Sequence, residues 1–517
     1  MDRRMTRRAF LALAGISGAV VALAACAPPP APTPTPAPAP KGEEPTKPAP
    51  TAEPAKKEAV QLSYFYGTRV VFKDLGLVQD EMSKIMKERI NATIELSPIE
   101  WAAFGEKMNV KNAAGEKYDL CFTSSWANLY HPNVKNGVLA DLTDALPQFA
   151  PKYYGGLNPG VWLAPRVKGR LYAAVNQQIF PGAIGPICRK DLAEKYGLDL
   201  SKVTKPEDME PWQAAIVAGE PGNGVVAPIR PGAVIWWTAL FGCDEPGYGL
   251  VDYSDQGLKV WNSWDHPQWQ RAMALTKKWF TAGYFPKEQP PEGEQEAWVK
   301  AGKGAWLFHR AKPGGDLEEK AINGWDWVSK IIENPTVLST PNIISTMYGV
   351  NKKTSSVEAC VRYLEMVNTD KPFYNLLCKG IEGKHWVWVD KAKEVIAFPE
   401  GMDVDNHPYN PNSDWEFGDQ FLAYYVDAAQ VGAWEETRKV NNASVPSVLL
   451  GFVLDQEPIK NELAALDAAN AEFRDLAMGL LDYDKVLPDL ISKNKAAGAE
   501  KVQAEVQKQL LDWKATK

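Results

Sequence analysis

Cysteine is scarce in this chain of 517 residues, and its pattern excludes a disulfide-rich scaffold. Only six cysteines occur, and none of them forms a CxxC motif. When Cys26 is set aside, five remain, which we interpret mainly as small apolar side chains of the core: Cys121, Cys188, Cys243, Cys360 and Cys378. A bridge between Cys360 and Cys378 is left open, because the sequence does not give the distance between them.

Catalytic signatures are missing as well. The chain has no G-x-S-x-G elbow, no H-E-x-x-H helix, no P-loop and no dinucleotide fingerprint. Its five histidines are scattered, and none is paired at the spacing of metal ligands: His131, His266, His309, His385 and His407. Asp403–Asn406 is interpreted as a solvated turn, because it lacks the Gly and the terminal Glu of a calcium loop. We therefore predict no catalytic residues, no metal and no cofactor.

Neither sign of charge dominates, and long apolar runs are few. The 57 basic and 64 acidic residues are intermixed and give a net charge of -7. Without a Lys/Arg stripe, the sequence predicts no nucleic-acid partner. Beyond the N-terminus, no apolar run reaches the length of a membrane-spanning helix.

The N-terminus has the organisation of an export signal. Arg7 and Arg8 precede an apolar core over residues 11–23, which is too short to span a membrane. The following Leu-Ala-Ala-Cys resembles a bacterial lipobox, in which Cys26 would become the lipidated, palmitate-carrying first residue. Residues 6–11 also resemble a twin-arginine signal, so the export route stays open. We predict a signal peptide over 1–25 and an anchor on the extracytoplasmic face of a bacterial membrane, with an ordinary cleaved signal as the alternative.

Proline is concentrated immediately after the signal. Residues 26–59 have no apolar stretch to bury and predict an extended, polyproline-like tether. Aromatic residues are abundant, with 19 Trp, 18 Tyr and 17 Phe. Trp and Tyr combine a flat apolar face with a polar atom, which suits a wet binding surface.

From Gln61 onward the pattern alternates between strands and helices. Strands are predicted at Gln61–Tyr66, Thr93–Ile99 and Tyr118–Thr123, with helices over Asp80–Ile90 and through Met108. This order indicates a mainly parallel α/β sheet covered by helices on both faces. Ligands of such sheets bind beyond the carboxyl ends of the strands, where Ser125 and Trp126 stand.

Helical stripes mark the second half of the chain. Ser355 or Ser356 is placed to cap a helix with Val357, Cys360 and Leu364 on its apolar face. Two further stripes in the tail are interpreted as core-facing: Ile459, Leu463 and Leu466, and then Val502, Val506, Leu510 and Trp513.

Several segments together resemble family 1 extracellular solute-binding proteins. The similar segments are residues 118–142, 351–371, 380–386, 409–421 and 450–455. The last three resemble the subfamily that carries an additional C-terminal DUF3502 domain. No single motif is diagnostic, but their order and spacing are specific, and the resemblance covers the chain from about residue 60.

The resemblance implies a two-lobed α/β fold of the periplasmic-binding-protein type (type II) with an additional C-terminal, mainly helical domain. Its implied organisation is 60–175 and 342–400 for the first lobe, 176–341 and 401–450 for the second lobe, and 451–517 for the C-terminal domain. The chain would cross between lobes near 173–178, 338–348 and 398–404. The lobes would close around a solute and dock on the permease subunits of an ABC importer, without chemistry and as a monomer.

Aromatic residues beside polar ones are the candidate ligand contacts, because sugar rings stack on aromatic faces while hydroxyls need polar partners. The candidates are Ser125, Trp126, Trp236, Trp237, Trp306, Tyr348, Trp386, Asp414 and Trp415, with Glu382 and His385 as comparable choices. The resemblance assigns Trp415 to the wall of the second lobe.

We therefore expect an extracytoplasmic receptor for an oligosaccharide or another carbohydrate. The alternatives are a receptor for a peptide or another polar solute, a surface-anchored glycan-active enzyme with paired carboxylates such as Glu292 and Glu294, and a sensor or adhesin that uses the same fold.

Overall fold

The computed structural model describes residues 58–220, 242–285, 295–403, 406–473, 475–476 and 479–516. The predicted signal peptide, Cys26 and nearly all of the proline-rich tether lie outside these ranges. Among the described residues, no helix combines the length and apolar character needed to cross a membrane. The thiols of all five cysteines after Cys26 are buried and free, so Cys360 and Cys378 are not bridged.

The strands are β1 Val60–Thr68, β2 Ala92–Glu100, β3 Leu120–Thr123, β4 Arg166–Val167, β5 Arg170–Leu171, β6 Ala173–Val175, β7 Ile184–Arg189, β8 Cys243–Asp244, β9 Gly249–Asp252, β10 Trp261–Asn262, β11 Trp306–Arg310, β12 Trp327–Ser329, β13 Val337–Leu338, β14 Met347–Val350, β15 Val387–Asp390, β16 Val395–Ala397 and β17 Val445–Pro446. The helices are α1 Leu75–Ile90, α2 Trp101–Ala114, α3 Tyr130–Lys135, α4 Ala145–Phe149, α5 Pro151–Gly156, α6 Lys190–Lys195, α7 Glu210–Gly219, α8 Pro267–Thr281, α9 Gln295–Lys300, α10 Gly315–Asn323, α11 Thr340–Ile343, α12 Val357–Thr369, α13 Lys371–Lys379, α14 Ala433–Ala443, α15 Lys460–Ala471, α16 Tyr483–Ala496 and α17 Ala499–Lys514.

A five-stranded sheet of order β2-β1-β3-β14-β6 forms the centre of the first lobe. Strand β1 is parallel to β2 and β3, as predicted, and Leu62, Tyr64 and Tyr66 alternate into the core with exposures of 0–2%. Strand β14 is antiparallel to both β3 and β6, so the sheet is mixed rather than all parallel. The chain returns from the second lobe at the carboxyl ends of β1–β3, and a strand entering there has to run the opposite way.

The first flanking helix, α1, was predicted over Asp80–Ile90 and begins five residues earlier, at Leu75. In α1, Val78, Met82 and Met86 form the buried stripe. Helix α12 is capped by Ser356, whose hydroxyl accepts a hydrogen bond from the Ala359 N–H at 3.1 Å. Both elements therefore have the faces that their periodicity predicts.

The second lobe has its own hydrophobic core, built on two small antiparallel sheets of order β11-β7-β12 and β10-β9-β8. Trp279 and Trp306 are completely buried in this core. The C-terminal helices belong to the same core, because Leu466, Val502 and Val506 are buried in one cluster with those tryptophans. The C-terminal domain thus packs on the second lobe.

Three chain segments connect the lobes. The first lies between β6 and β7, the second between β13 and β14, and the third runs through α14 to β17, which pairs with β13. The third connection was expected near 398–404, and residues 401–450 were assigned to the second lobe. The structure instead packs residues 406–434 on the first lobe, because aromatic side chains of this segment enter its core: Tyr409, Phe417, Phe421, Tyr425 and Trp434.

Candidate functional site

The carboxyl ends of three neighbouring parallel strands bring the candidate site together. Gly67 lies at the end of β1, Trp101 directly follows β2, and Trp126 lies three residues after β3. The Trp101 ring packs directly on Gly67, where an added Cβ would come within 2.2 Å of ring atoms. Only glycine at position 67 allows this close approach, so Trp101 packs directly on the backbone at the end of β1.

Trp101, Trp126 and Trp415 form a tryptophan cluster at this edge. The ring centroids of Trp101 and Trp415 are 5.8 Å apart in a stacked arrangement, and those of Trp101 and Trp126 are 5.2 Å apart. Phe122 lies beneath, with its ring centroid 5.5–6.0 Å from all three. Trp126 is 54% exposed, while Trp101 and Trp415 are half-buried. The cluster therefore presents aromatic faces to solvent on a rigid support.

The turn over Asp414–Glu416, which carries Trp415, is anchored by hydrogen bonds from both of its ends. The Asp414 carboxylate receives hydrogen bonds from the Lys379 ammonium at 2.7 and 2.9 Å. The Glu416 carboxylate accepts a hydrogen bond from the Gly67 N–H at 2.9 Å, and the Glu416 carbonyl accepts one from the Asn176 amide at 2.6 Å. These contacts fix Trp415 to the first lobe, which corrects its expected place on the wall of the second lobe.

Glu416, the neighbour of Trp415 in the chain, is a completely buried carboxyl group. Its Oε1 is held by Gly67, while Oε2 has no hydrogen-bond partner among the described residues. Burial raises the pKa of Glu416 well above its ordinary value, and the one backbone hydrogen bond only partly opposes this. Burial therefore favours the protonated, neutral form of this carboxyl.

Trp126 is tied to the segment that returns from the second lobe. Its indole Nε1–H donates to the Ser345 carbonyl at 2.8 Å. The neighbouring Ser125 donates its N–H to Ile344 O and its hydroxyl to Pro341 O, both at 3.0 Å. Gln178, from the first connecting segment, donates to Thr346 Oγ1 at 2.9 Å. The cluster thus lies where the connecting segments meet the first lobe.

A groove of about 750 Å³ extends from the cluster along α2. Trp101 and Trp126 line one end, and the exposed side of α2 contributes small and polar residues: Ala102, Gly105, Glu106, Asn109, Val110 and Ala113. The loop after β3 lines the opposite side with Ala127, Asn128 and Leu129. Its volume falls within the roughly 300–1,000 Å³ of ligand-binding clefts.

Four of the predicted site residues come together here, namely Ser125, Trp126, Asp414 and Trp415. Ser125 and both tryptophans keep exposed surface, whereas Asp414 directs its carboxylate to Lys379. Asp414 therefore positions the turn. The arrangement offers stacking faces and hydrogen-bonding groups, which suits the binding of a ligand.

Two predicted contacts are wrong because the side chains are buried. Trp306 is 0% exposed and packs edge-on against Trp279 and Phe308 in the core of the second lobe. Tyr348 is 0% exposed and packs against Tyr64 and Tyr363 in the first. Both side chains are enclosed by other aromatic residues of their cores, where they serve packing.

The remaining candidates lie elsewhere. Trp386 is 6% exposed and packs with Trp388 and Tyr424 in a separate aromatic cluster. Within the same region, Glu382 accepts a hydrogen bond from the Trp388 indole, and the ring of His385 lies 3.2 Å from the Asp74 carboxylate. Trp236 and Trp237 lie outside the described residues, as do Glu292 and Glu294.

Sequence reasoning missed Trp101 and Glu416. The strand-end rule that selected Trp126 also applies to Trp101, because Trp101 lies two residues after the predicted strand Thr93–Ile99. Glu416 has no comparable signal, since its partner Gly67 is 349 residues away in the chain.

Comparison with known proteins supports the predicted C-terminal domain and the predicted fold. Residues 448–515 match the family model "Domain of unknown function (DUF3502)". A protein of Streptococcus pneumoniae named "Carbohydrate ABC transporter substrate-binding protein" is 27% identical over 446 residues, which cover 83% of this chain and 86% of that protein.

Solved structures show the same architecture. The N-glycan transport solute-binding protein NgtS of Streptococcus pneumoniae matches with a TM-score of 0.75 and 23% identity, covering 88% of this chain and 98% of that one. Its complex with Man5GlcNAc matches with a TM-score of 0.68 and 22% identity, covering 89% and 99%. This chain has the two-lobed fold of solute-binding proteins, with a C-terminal DUF3502 domain.

Proposed function

We propose that this protein captures an oligosaccharide between its two lobes and delivers it to the permease of an ABC importer. The observation that carries the proposal is the tryptophan cluster at the mouth of the groove along α2. Indole faces stack on the apolar faces of sugar rings, and their display beside carbonyl, amide and hydroxyl groups suits a ligand with many hydroxyls. The names of the similar proteins support the same substrate class.

The way the site is built supports capture without chemistry. The carboxyl of Glu416 is completely buried and accepts a hydrogen bond from Gly67, and the carboxylate of Asp414 is paired with Lys379, so both acidic groups have structural partners. Closure of the lobes is a hinge motion about the three connecting segments. A ligand drives it only by binding the closed form more tightly than the open form.

The proposed setting is the outer face of a bacterial membrane, with Cys26 as the lipid anchor. The proline-rich tether would give the folded part reach toward a permease in the same membrane. Confinement to one surface raises the effective concentration of the receptor for its transporter.

A panel of mono- and oligosaccharides, peptides and osmolytes tests the proposal on the purified chain lacking residues 1–25. We expect an oligosaccharide to raise the melting temperature and to bind with a measurable heat while remaining intact by chromatography. Stabilisation by peptides alone would identify a peptide receptor. Release of glycan fragments would identify an enzyme, and either result would overturn the proposal.

A further inference from the structure

Three side chains of the second lobe converge on one point outside the candidate site. Cys243 Sγ lies 3.4 Å from Asp252 Oδ1 and 3.6 Å from His266 Nε2, and the latter two atoms are 3.3 Å apart. All three distances join one ligand atom of each residue, so the atoms form a nearly equilateral triangle.

The fold holds this triangle on three separate elements. Cys243 and Asp252 are paired across the antiparallel strands β8 and β9. His266 immediately precedes α8, and its ring packs edge-to-face against Trp261 of β10. Cys243 and His266 are only 3% and 2% exposed, whereas 40% of the Asp252 side chain is exposed.

The triangle has the dimensions of a zinc site. Zn²⁺ binds sulfur at about 2.3 Å and nitrogen or oxygen at about 2.0–2.2 Å, and a regular tetrahedron of such bonds has edges of about 3.3–3.6 Å. Thiolate and imidazole ligands favour Zn²⁺ over Ca²⁺ or Mg²⁺, which prefer oxygen. We propose that Cys243, Asp252 and His266 bind one Zn²⁺ ion, with water at the fourth position on the exposed side of Asp252.

Binding requires two proton movements. The Cys243 thiol releases its proton to solvent, so that a thiolate, a carboxylate and Zn²⁺ form a neutral site. The neutral imidazole of His266 must place its single proton on Nδ1, which frees Nε2 for the metal. In the structure, Nδ1 accepts the Gln268 N–H at 3.3 Å, and the ion displaces this one weak cap bond in exchange for three metal–ligand bonds.

Such an ion would cross-link the sheet on which the C-terminal domain rests. Strands β8 to β10 form one sheet, and α17 docks on it through Gln503 and Gln507, whose amides bond the backbone of Val260 and Leu258. The proposed ion ties β8 and β9 to the start of α8. Its role is therefore structural, and it does not depend on the proposed transport function.

Metal analysis and Co²⁺ substitution test the site on the purified chain lacking residues 1–25. We expect one Zn²⁺ per chain, a rise in melting temperature on adding Zn²⁺ to chelator-treated protein, and a Co²⁺ form with tetrahedral visible bands and a thiolate-to-cobalt charge-transfer band. Cys243→Ala should abolish the charge-transfer band, while Cys188→Ala, which removes a buried thiol of the same lobe, should keep it.

Asp252→Asn provides a variant that retains the fold, because its side chain is partly exposed. Loss of an outer-shell partner of a metal ligand lowers metal affinity by about 10- to 100-fold. Because Asp252 is proposed to bind the ion directly, the Zn²⁺ affinity of this variant should fall by more than that. Failure of wild-type protein to bind Co²⁺ near one equivalent would overturn the proposal. So would a charge-transfer band or a thermal shift that persists in Cys243→Ala, since this identifies an adventitious ion only.

Discussion

At the scale of single residues, the candidate site depends on how Trp415 is held rather than on its exposure alone. The ring stacks on Trp101, and the turn beneath it is fixed by Lys379 and by Glu416. A ring held in this way loses little rotational freedom on stacking against a sugar, which favours affinity.

Trp415→Ala should weaken oligosaccharide binding by about 10-fold or more, equivalent to about 1.4 kcal/mol, with little change in melting temperature. The reason is that the half-buried ring contributes a stacking face while the anchors of its turn remain. Trp325→Ala is the control, because it removes another half-buried tryptophan, stacked on Arg189 in the second lobe. Calorimetric titration with the oligosaccharide measures the affinity of both variants. An unchanged affinity of Trp415→Ala would contradict the assignment of Trp415 as a ligand contact.

Glu416→Gln should leave the free energy of unfolding nearly unchanged, whereas Glu416→Ala should lower it. A protonated carboxyl and an amide have nearly the same shape, and the Gln carbonyl can still accept the Gly67 N–H. Glu416→Ala leaves that N–H unpaired and opens a cavity, at an expected cost of at least about 2 kcal/mol in the free energy of unfolding. Urea unfolding of both variants checks this, and equal destabilisation by Gln and Ala would contradict a neutral carboxyl.

The raised pKa of Glu416 also predicts a pH dependence. In the folded chain the carboxyl keeps its proton at pH values where the unfolded chain has lost it, so the unfolded state binds fewer protons. Its favourable contribution is complete below the carboxyl pKa of the unfolded chain, and it declines as the pH rises from there toward the raised folded pKa. The stability of wild type relative to Glu416→Gln should therefore fall with rising pH, measured by urea unfolding at several pH values; a difference that does not vary with pH argues against it.

At the scale of elements, helix α2 forms the wall of the groove. Its exposed face carries Ala102, Gly105 and Ala113, whose small side chains leave the groove open. Gly105 is helical, and an added Cβ would meet no atom within 4 Å. The groove therefore exists because the side chains on this face of α2 are small, while the backbone there is regular helix.

Gly105→Leu should reduce affinity for long oligosaccharides more than for disaccharides, because the new side chain fills the groove beyond the tryptophan cluster. Stability should remain the same or rise, since replacing an interior helical glycine gains up to about 1 kcal/mol. Gly76→Leu is the matched control, because Gly76 lies in α1 and also has open space around it. An unchanged affinity of Gly105→Leu for long glycans would show that the groove holds no part of the ligand.

At the scale of the whole molecule, the C-terminal domain and the second lobe form one hydrophobic core. Leu466, Val506 and Leu510 are completely buried in that core together with Trp306. The DUF3502 segment therefore supports the second lobe, which would move as one unit in the proposed closure of the lobes.

Cys26→Ser should release the full-length protein from cells into the medium or the periplasm while leaving its oligosaccharide affinity unchanged. The thiol is the proposed lipidation site, and in the sequence it lies 41 residues before Gly67, the first residue of the candidate site. Cell fractionation and calorimetry check the two halves of this prediction. A variant that stays in the membrane fraction would refute lipidation at Cys26.

Much of the architecture could be predicted from local pattern. The alternation of Leu62, Tyr64 and Tyr66, the stripe of α1 and the Ser356 cap depend on residues a few positions apart, and the structure has each of them. The place of residues 406–434 could not be predicted, because an aromatic segment fits either core and only packing against Tyr64 and Tyr66 selects the first.

By itself, the sequence determined the alternating strands and helices, the strand ends that carry Trp126, and the helical tail, since short-range periodicity encodes all of these. Tertiary structure alone decided which aromatic residues face solvent: it buried Trp306 and Tyr348 and brought Trp101 and Trp415 together. It also brought the Glu416 carboxyl to the Gly67 N–H. It also joined Cys243, Asp252 and His266, which are 9 and 14 residues apart and match no ligand spacing. The reason is physical: burial and side-chain convergence depend on contacts between distant segments, which no local pattern records.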